Sequence, residues 1–231
     1  MPDSKQNFKG SKGPRDRLIH AGIRVFAQFG FEGATTRQLA KAAGVNQAAI
    51  PYYFGGKEKL YHTVVEHIVR QVAPPRMAAV EKCAEALAEP QTPRAALAGL
   101  LMDILGSLVD LISVPEAIDY GRIIIREQMA PTAAFDLIYD GMIRHVHTTA
   151  SALVGRLIHA PADAPGTILR AHALLGQVFM FLAAREAILR RLETPALSPE
   201  ALDEIRRLIA ESIDRLGPVP TDETDSGKGT P

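Results

Sequence analysis

A chain of 231 residues with 47% hydrophobic and 23% charged residues can bury one large core or two modest ones, which excludes wholesale disorder. Lysines and arginines balance the acids at 26 each, yet residues 1–60 hold ten basic against four acidic residues, a net +6 that leaves −6 on the remainder. A polyanion-binding head on a differently employed body has this distribution, as does a solvated basic face. The single cysteine, Cys83, excludes an internal disulfide framework and fits a reducing cytoplasm.

The N-terminus, "MPDSKQNFKGSKGPRDR", is polar and basic with no apolar core after it, so residues 1–13 read as a flexible basic arm rather than a secretory signal. Leu18, Gly22, Val25, Phe26 and Phe29 recur at helical spacing, and Gly30 supplies a stop. Thr35 and Thr36 are candidate N-caps for "RQLAKAA", whose Leu39, Ala40 and Ala43 face inward before Gly44 ends the helix. Asn46 can cap the next short helix, "QAAIPYYF", with Phe54 as its core anchor. Lys57 opens a longer helix with an apolar stripe of Leu60, Val64, Ile68 and Val72, stopped by Pro74–Pro75.

Two short helices joined by a turn through Gly44–Val45 have the layout of a helix-turn-helix, in which the second helix enters the major groove. Asn46, Gln47, Ala48 and Ala49 occupy the N-terminal end of that helix, where side chains reach base edges. Gln47 offers a donor and an acceptor, and the alanines can approach a thymine methyl. Tyr52, Tyr53 and Lys57 follow one to two turns later, within reach of phosphates, unless both tyrosines pack inside the small domain. Thr35, Thr36 and Arg37 at the start of the preceding helix complete the candidate DNA contacts.

The string "TTRQLAKAAGVNQAAIPYYFGGKEKLY" resembles the DNA-binding signature of TetR-type transcriptional regulators. Its Thr-x-x-x-Leu-Ala, Ala-Gly-Val, Tyr-Tyr-Phe and Lys-Glu-x-Leu elements fall in order, and the resemblance covers residues 14–70. Further on, "REQMAPTAAFDLIYDGMI" and "HALLGQVFMFLAAREAILRR" are similar to the C-terminal domain of the CecR branch, over residues 75–216. The resemblance implies an all-α protein: a three-helix helix-turn-helix DNA-binding domain over 14–73, then a larger helical ligand-binding and dimerisation domain over 74–216. It also implies a palindromic double-stranded operator, a small-molecule inducer and a homodimer. One position departs. Pro51 stands where the family often has the first of three aromatic residues, so that contact does not carry over. Pro51 also removes an amide that would bond the Gln47 carbonyl if the helix starts at Gln47, so the helix should be distorted or change type there.

The body is punctuated by Pro90–Pro93, Pro115, Pro131, Pro161–Pro165 and Pro195. Its most apolar run, "AALAGLLMDILGSLVDLISV", nearly has the length of a membrane span. Asp103 and Asp110 make it a buried amphipathic helix instead, and no membrane partner is expected. Ser198–Pro199–Glu200 reads as cap, first-turn proline and dipole-matched acid for a last helix with Leu202, Ile205, Ile209, Ser212 and Leu216 on one face. Residues 217–231 lack apolar groups but for one valine and read as a disordered tail, in which "GKGT" has no flanking element to make a phosphate loop.

In the penultimate helical pattern, Ala173, Gly176, Met180, Ala184 and Ala187 form a stripe nearly free of bulky groups. It suits close packing, either within the monomer or in a symmetric four-helix interface. The family dimerises through its last two helices, which favours the interface and adds Leu202, Ile205 and Ile209 to it. Tyr120, Ile124 and Glu127 share a face, with Arg126 inside a strongly apolar neighbourhood and Phe135 and Tyr139 beyond Pro131; His172 and Gln177 are weaker additions. A few polar groups among apolar and aromatic walls compose a small-molecule pocket, although Arg126 can equally be held by Glu127 or Glu186. No metal site is expected, since His145 and His147 point about 200° apart on a helix. No cofactor is expected and no catalytic residue is assigned, for want of a nucleophile elbow, a glycine-rich loop or paired carboxylates near a histidine. The reading is therefore a cytoplasmic homodimeric repressor, with a DNA-free dimeric scaffold or a small-molecule-modifying enzyme as alternatives.

Overall fold

The computed structural model describes residues 13–217, apart from the side chains of residues 115 and 116, and every regular element in that range is helical. The basic arm and the tail expected at the two ends lie outside the described residues, but for Gly13 and Gly217. The chain divides into two compact units. One comprises the chain to Gln71 together with Ile118–Ile138, the other Val72–Ala117 and the chain from Tyr139 onward.

In the first unit α1 (Pro14–Gly33), α2 (Thr36–Ala43), α3 (Ala49–Phe54) and the first part of α4 (Lys57–Glu81) bury Leu18, Phe26, Leu39, Ile50, Leu60, Val64 and Ile68 completely. Gly22 lets α1 and α4 approach closely: a Cβ there would lie 2.7 Å from Val64 Cγ2. Gly30, at φ 72° and ψ 176°, interrupts α1 at its expected stop, and one further turn follows to Gly33. Thr35 closes a capping box on α2: its hydroxyl accepts from the Gln38 amide at 3.2 Å, while Gln38 Oε1 accepts from the Thr35 amide at 2.8 Å.

Pro51 sets where α3 begins. The helix starts at Ala49 rather than Gln47, preceded by a tighter turn in which the amides of Ala49 and Ile50 donate to the carbonyls of Asn46 and Gln47 at 3.0 and 3.2 Å. Proline therefore falls in the first helical turn, where an amide has no intrahelical partner to lose. The expected change of helix type is this turn.

Residues 118–138, from α7 (Pro115–Met129) and α8 (Phe135–Ile138), lie in the first unit together with the chain to Gln71. The reason is chemical. Glu127 is 1% exposed, and a buried carboxylate must be hydrogen-bonded. The Tyr61 phenol donates to its Oε1 at 2.5 Å, the Thr132 amide to Oε2 at 3.0 Å, and the Thr132 hydroxyl lies 3.1 Å from both oxygens. Burial, reinforced by the Glu127 carboxylate, holds the Tyr61 phenol far above the usual tyrosine pKa, so it remains a neutral donor. Phe26 and Phe31 pack on the Tyr61 ring at centroid distances of 4.8 and 5.1 Å.

In the second unit the end of α4 and α5 (Cys83–Ala88) are followed by α6 (Arg94–Ser113), a π-helical turn (Tyr139–Ile143), α9 (Arg144–Ile158), α10 (Pro165–Ala183), α11 (Arg185–Arg191) and α12 (Pro199–Asp214). α9 packs against α6 and α10, and α12 against α6. Leu101, Ile104, Leu105, Leu153 and Ile209 lie at the centre. α6 and α10 are long and apolar enough to cross a membrane by length and composition. Yet α6 buries one stripe in this core, while its Asp103 and Asp110 meet Lys82 at 3.9 Å and Arg206 at 2.7 Å.

The helix expected to stop at Pro74–Pro75 runs on to Glu81. Two prolines remove only the amides that would reach the carbonyls of Arg70 and Gln71. The following turn is secured by Arg76, whose guanidinium is buried and donates to the Val72 carbonyl at 3.1 Å and to the Ser107 carbonyl. Burial lowers the Arg76 pKa to about 10, against an opposing pull from Asp110, so the group stays cationic at neutral pH.

Removing the phenol hydroxyl with Tyr61→Phe should destabilise the protein by about 1–3 kcal/mol in urea unfolding, because Glu127 loses its shortest donor. The sign of the alkaline response follows from the raised folded pKa: the unfolded chain ionises first as pH climbs past about 10, so wild type loses this contribution there. Tyr61→Phe should lack that component of alkaline sensitivity.

Candidate nucleic-acid interface

The turn between α2 and α3 is fixed by side chains. Gln47 Nε2 donates to Thr36 Oγ1 at 2.7 Å, tying the approach to α3 to the first residue of α2, and Asn46 Oδ1 accepts from the Ala48 amide at 2.9 Å. Thr35, Arg37, Asn46, Gln47 and Ala48 are exposed; Thr36 and Ala49 are half-buried. Phe54 anchors α3 in the core, under the Arg15 guanidinium at 5.4 Å from its ring centroid. Tyr52 is 81% and Tyr53 39% exposed, their rings edge-to-face at 4.8 Å, which decides against packing of both rings inside the domain. Arg17 and Arg24, visible in the sequence only as part of the net charge, line a groove of about 450 Å³ with His20, Ala42 and Ala43.

Lys57 departs from expectation. Its ammonium is half-buried and turned inward, donating to the carbonyls of Phe31 and Ala34 at 2.9 and 3.1 Å and lying 4.4 Å from the Phe31 ring centroid. It caps the end of α1, so we remove it from the phosphate contacts.

The residues expected to line a ligand pocket are distributed over both units. Tyr120, Ile124, Arg126, Glu127 and Phe135 belong to the first, Tyr139, His172 and Gln177 to the second. Ile124 and Glu127 are buried, and the carboxylate of Glu127 is held by Tyr61 and Thr132. Arg126 is not embedded in apolar surroundings. It is exposed, donates to the Ala27 carbonyl at 3.5 Å and lies over Gly30, where a Cβ would overlap the guanidinium. Of the acids considered as its partner, Glu127 is held by Tyr61 and Thr132, and Glu186 belongs to the second unit, where it pairs with Arg190 at 2.7 Å. A cavity of about 400 Å³ in the second unit is lined by other residues, among them Thr92, Arg94, Leu97, Arg156 and His159. Its arginines donate to backbone carbonyls, Arg94 to Leu157 at 2.8 Å and Arg156 to Leu87 at 3.2 Å.

Of the proposed dimer stripe, Ala173, Ala187 and Met180 are exposed, Met180 by 62%, while Gly176 and Ala184 are half-buried. Leu202, Ile205 and Ile209 are instead buried in the unit to which α12 belongs, at 7%, 3% and 1% exposure. The single apolar stripe of α12 faces its own α6, and the outward apolar group on α12 is Leu208, 44% exposed.

Two family models match the chain: the bacterial regulatory proteins of the tetR family over residues 18–64, and the C-terminal domain of the HTH-type transcriptional dual regulator CecR over residues 93–217. The dual regulator CecR of Shigella flexneri is 31% identical over 94% of this chain and 96% of its own length. The transcriptional repressor NicS of Pseudomonas putida is 44% identical over 54 residues, 23% of this chain and 26% of its own. Among solved structures, AibR in complex with isovaleryl coenzyme A and operator DNA superposes with a TM-score of 0.62 at 12% identity, covering 86% of this chain and 96% of AibR. The TetR family regulator PfmR of Thermus thermophilus superposes with a TM-score of 0.56 at 18% identity, covering 88% and 97%. At these identities the two structures speak to the fold alone.

Replacing Lys57 by alanine leaves two carbonyls without their charged donor, which should lower stability by about 1–2 kcal/mol in thermal or urea unfolding. The slope of log affinity for DNA against log salt should stay unchanged; a fall of about one unit would return Lys57 to the phosphates.

Proposed function

Since the chain belongs to the TetR family of bacterial transcriptional regulators, with a C-terminal domain of the CecR type, we propose that it is a homodimeric repressor acting in the cytoplasm. It binds a palindromic double-stranded operator through the first unit, leaves it when a small-molecule inducer binds the body, and acts by binding rather than catalysis. The observation that carries this reading is the outward presentation of Asn46, Gln47 and Ala48 at the approach to α3, with Tyr52 and Tyr53 exposed one turn on. Arg37, Arg17 and Arg24 are exposed cations of the same unit and suit phosphate contact. The inducer is assigned to the second unit with Tyr139 and Gln177 as candidate contacts. AibR, solved with an acyl coenzyme A and operator DNA together, is a precedent for one fold holding both.

Dimerisation is assigned to the outer face of α10, where Leu169, Ala173, Gly176 and Met180 follow at helical spacing and Leu169 and Met180 are 67% and 62% exposed. Leu208 on α12 extends it, in place of the buried Leu202, Ile205 and Ile209. Selection of bound sequences from a random DNA pool by the purified protein tests the whole reading; recovery of no common palindrome would reject it.

Within that reading Gln47→Ala should weaken operator binding by roughly 1–3 kcal/mol while sparing nonspecific DNA. Equal loss on both would remove Gln47 from base recognition. A Cβ at Gly176 would meet nothing within 4 Å in the monomer, so Gly176→Leu is tolerated by the fold and obstructs only a facing helix. It should sediment as a monomer with weak operator affinity and unchanged helicity; an intact dimer would displace the interface from this face.

A further inference from the structure

The histidine that sequence spacing separates from its neighbour finds another partner through the fold. His147 on α9 and His172 on α10, 25 residues apart, bring Nε2 and Nδ1 to 3.4 Å, with ring centroids 5.2 Å apart and planes inclined by 32°. An N–H···N hydrogen bond prefers a shorter separation, about 2.7–3.2 Å by analogy with amide donors. Two imidazole nitrogens at about 2.0–2.1 Å from a tetrahedral ion stand about 3.3–3.4 Å apart. The observed spacing is long for the first arrangement and fits the second.

We propose that His147 and His172 form a two-histidine site for a divalent transition ion of the zinc, nickel or copper class, with water in the remaining positions. The two ligands stand on packed helices, so the pair is held by α9 and α10 rather than by a loop. Imidazole pairs suit these borderline ions over calcium or magnesium, which prefer oxygen. Among the described residues no third His, Cys, Asp or Glu joins the pair, which is why solvent completes the shell. For both facing nitrogens to present lone pairs, the one proton shared between them moves, by way of solvent, to the far nitrogen of its own ring; no net proton is released. The inference does not rest on the regulator reading, and both ligands come from one chain.

Titrating Zn²⁺ into the metal-free full-length protein at pH 8 by calorimetry tests it. One ion per chain should bind, and 1 mM Zn²⁺ should raise the melting temperature, since a ligand held only by the native state stabilises it by mass action. His147→Gln and His172→Ala should each weaken binding at least about tenfold, as expected for loss of a ligand when second-shell changes alone cost 10–100-fold. His145→Ala, on another face of α9, is the control and should bind as wild type does. Absence of heat and of any melting shift, or undiminished binding by the His147→Gln/His172→Ala double variant, would overturn the proposal. A His147→Gln chain that fails to fold leaves the exposed His172→Ala chain to decide it.

Discussion

A buried carboxylate organises the first unit. Glu127 is removed from water almost completely, and its oxygens are answered by a phenol from α4 and by the amide and hydroxyl of Thr132, a few residues further along its own chain. None of these donors is optional in a low-dielectric environment, because an unmet ionised group there outweighs several ordinary contacts. Residues 118–138 are thereby part of the same unit as the helix-turn-helix, although nearly fifty residues of chain intervene. The rings of Phe26 and Phe31 close over the phenol and extend the arrangement to the end of α1. At that end two cations converge: Lys57 on the carbonyls of Phe31 and Ala34, and Arg126 on that of Ala27. Positive charge is favoured at a helix C-terminus, and here it fixes the helix against which α2 and α3 are set.

The second unit uses the same device with arginine. Arg94 holds the carbonyls of Leu157 and Leu216 and Arg156 those of Leu87, Glu89 and Pro90, all at or just past helix ends, while Arg76 reaches the mid-helix carbonyls of Val72 and Ser107. A bundle with many short helices has many C-terminal carbonyls without helical partners, and the guanidinium fork can serve two or three at once. The two arginines beside its cavity, Arg94 and Arg156, are therefore engaged by the backbone of the unit itself.

The elements marked by short-range chemistry were legible in the sequence: the Thr35 cap, the Gly30 and Gly44 stops, the Ser198–Pro199 start and the stripe of Leu60, Val64 and Ile68. Each depends on a few neighbouring residues. What escaped was set by partners distant along the chain. Lys57 is a basic residue at a helix start, the pattern of a phosphate contact, and only the fold brings Phe31 and Ala34 beneath it. Leu202, Ile205 and Ile209 form a stripe whose direction, toward α6 or toward another molecule, periodicity cannot assign. Arg126 was surrounded by isoleucines in sequence, but on a helix adjacent residues point to different faces, and its own face carries it to α1.

The proline pair within α4 has a consequence for how the protein opens. Helical cooperativity is carried by successive amide-to-carbonyl rungs, and two consecutive rungs are missing where Arg70 and Gln71 should receive Pro74 and Pro75. The gap coincides with the division of the chain between Gln71 and Val72. Fluctuations that fray α4 from either side therefore terminate at the same place instead of running the length of the helix. Amide exchange along α4 should accordingly report two protection levels with a step at the prolines, each level set by the foldon to which that half of the helix belongs.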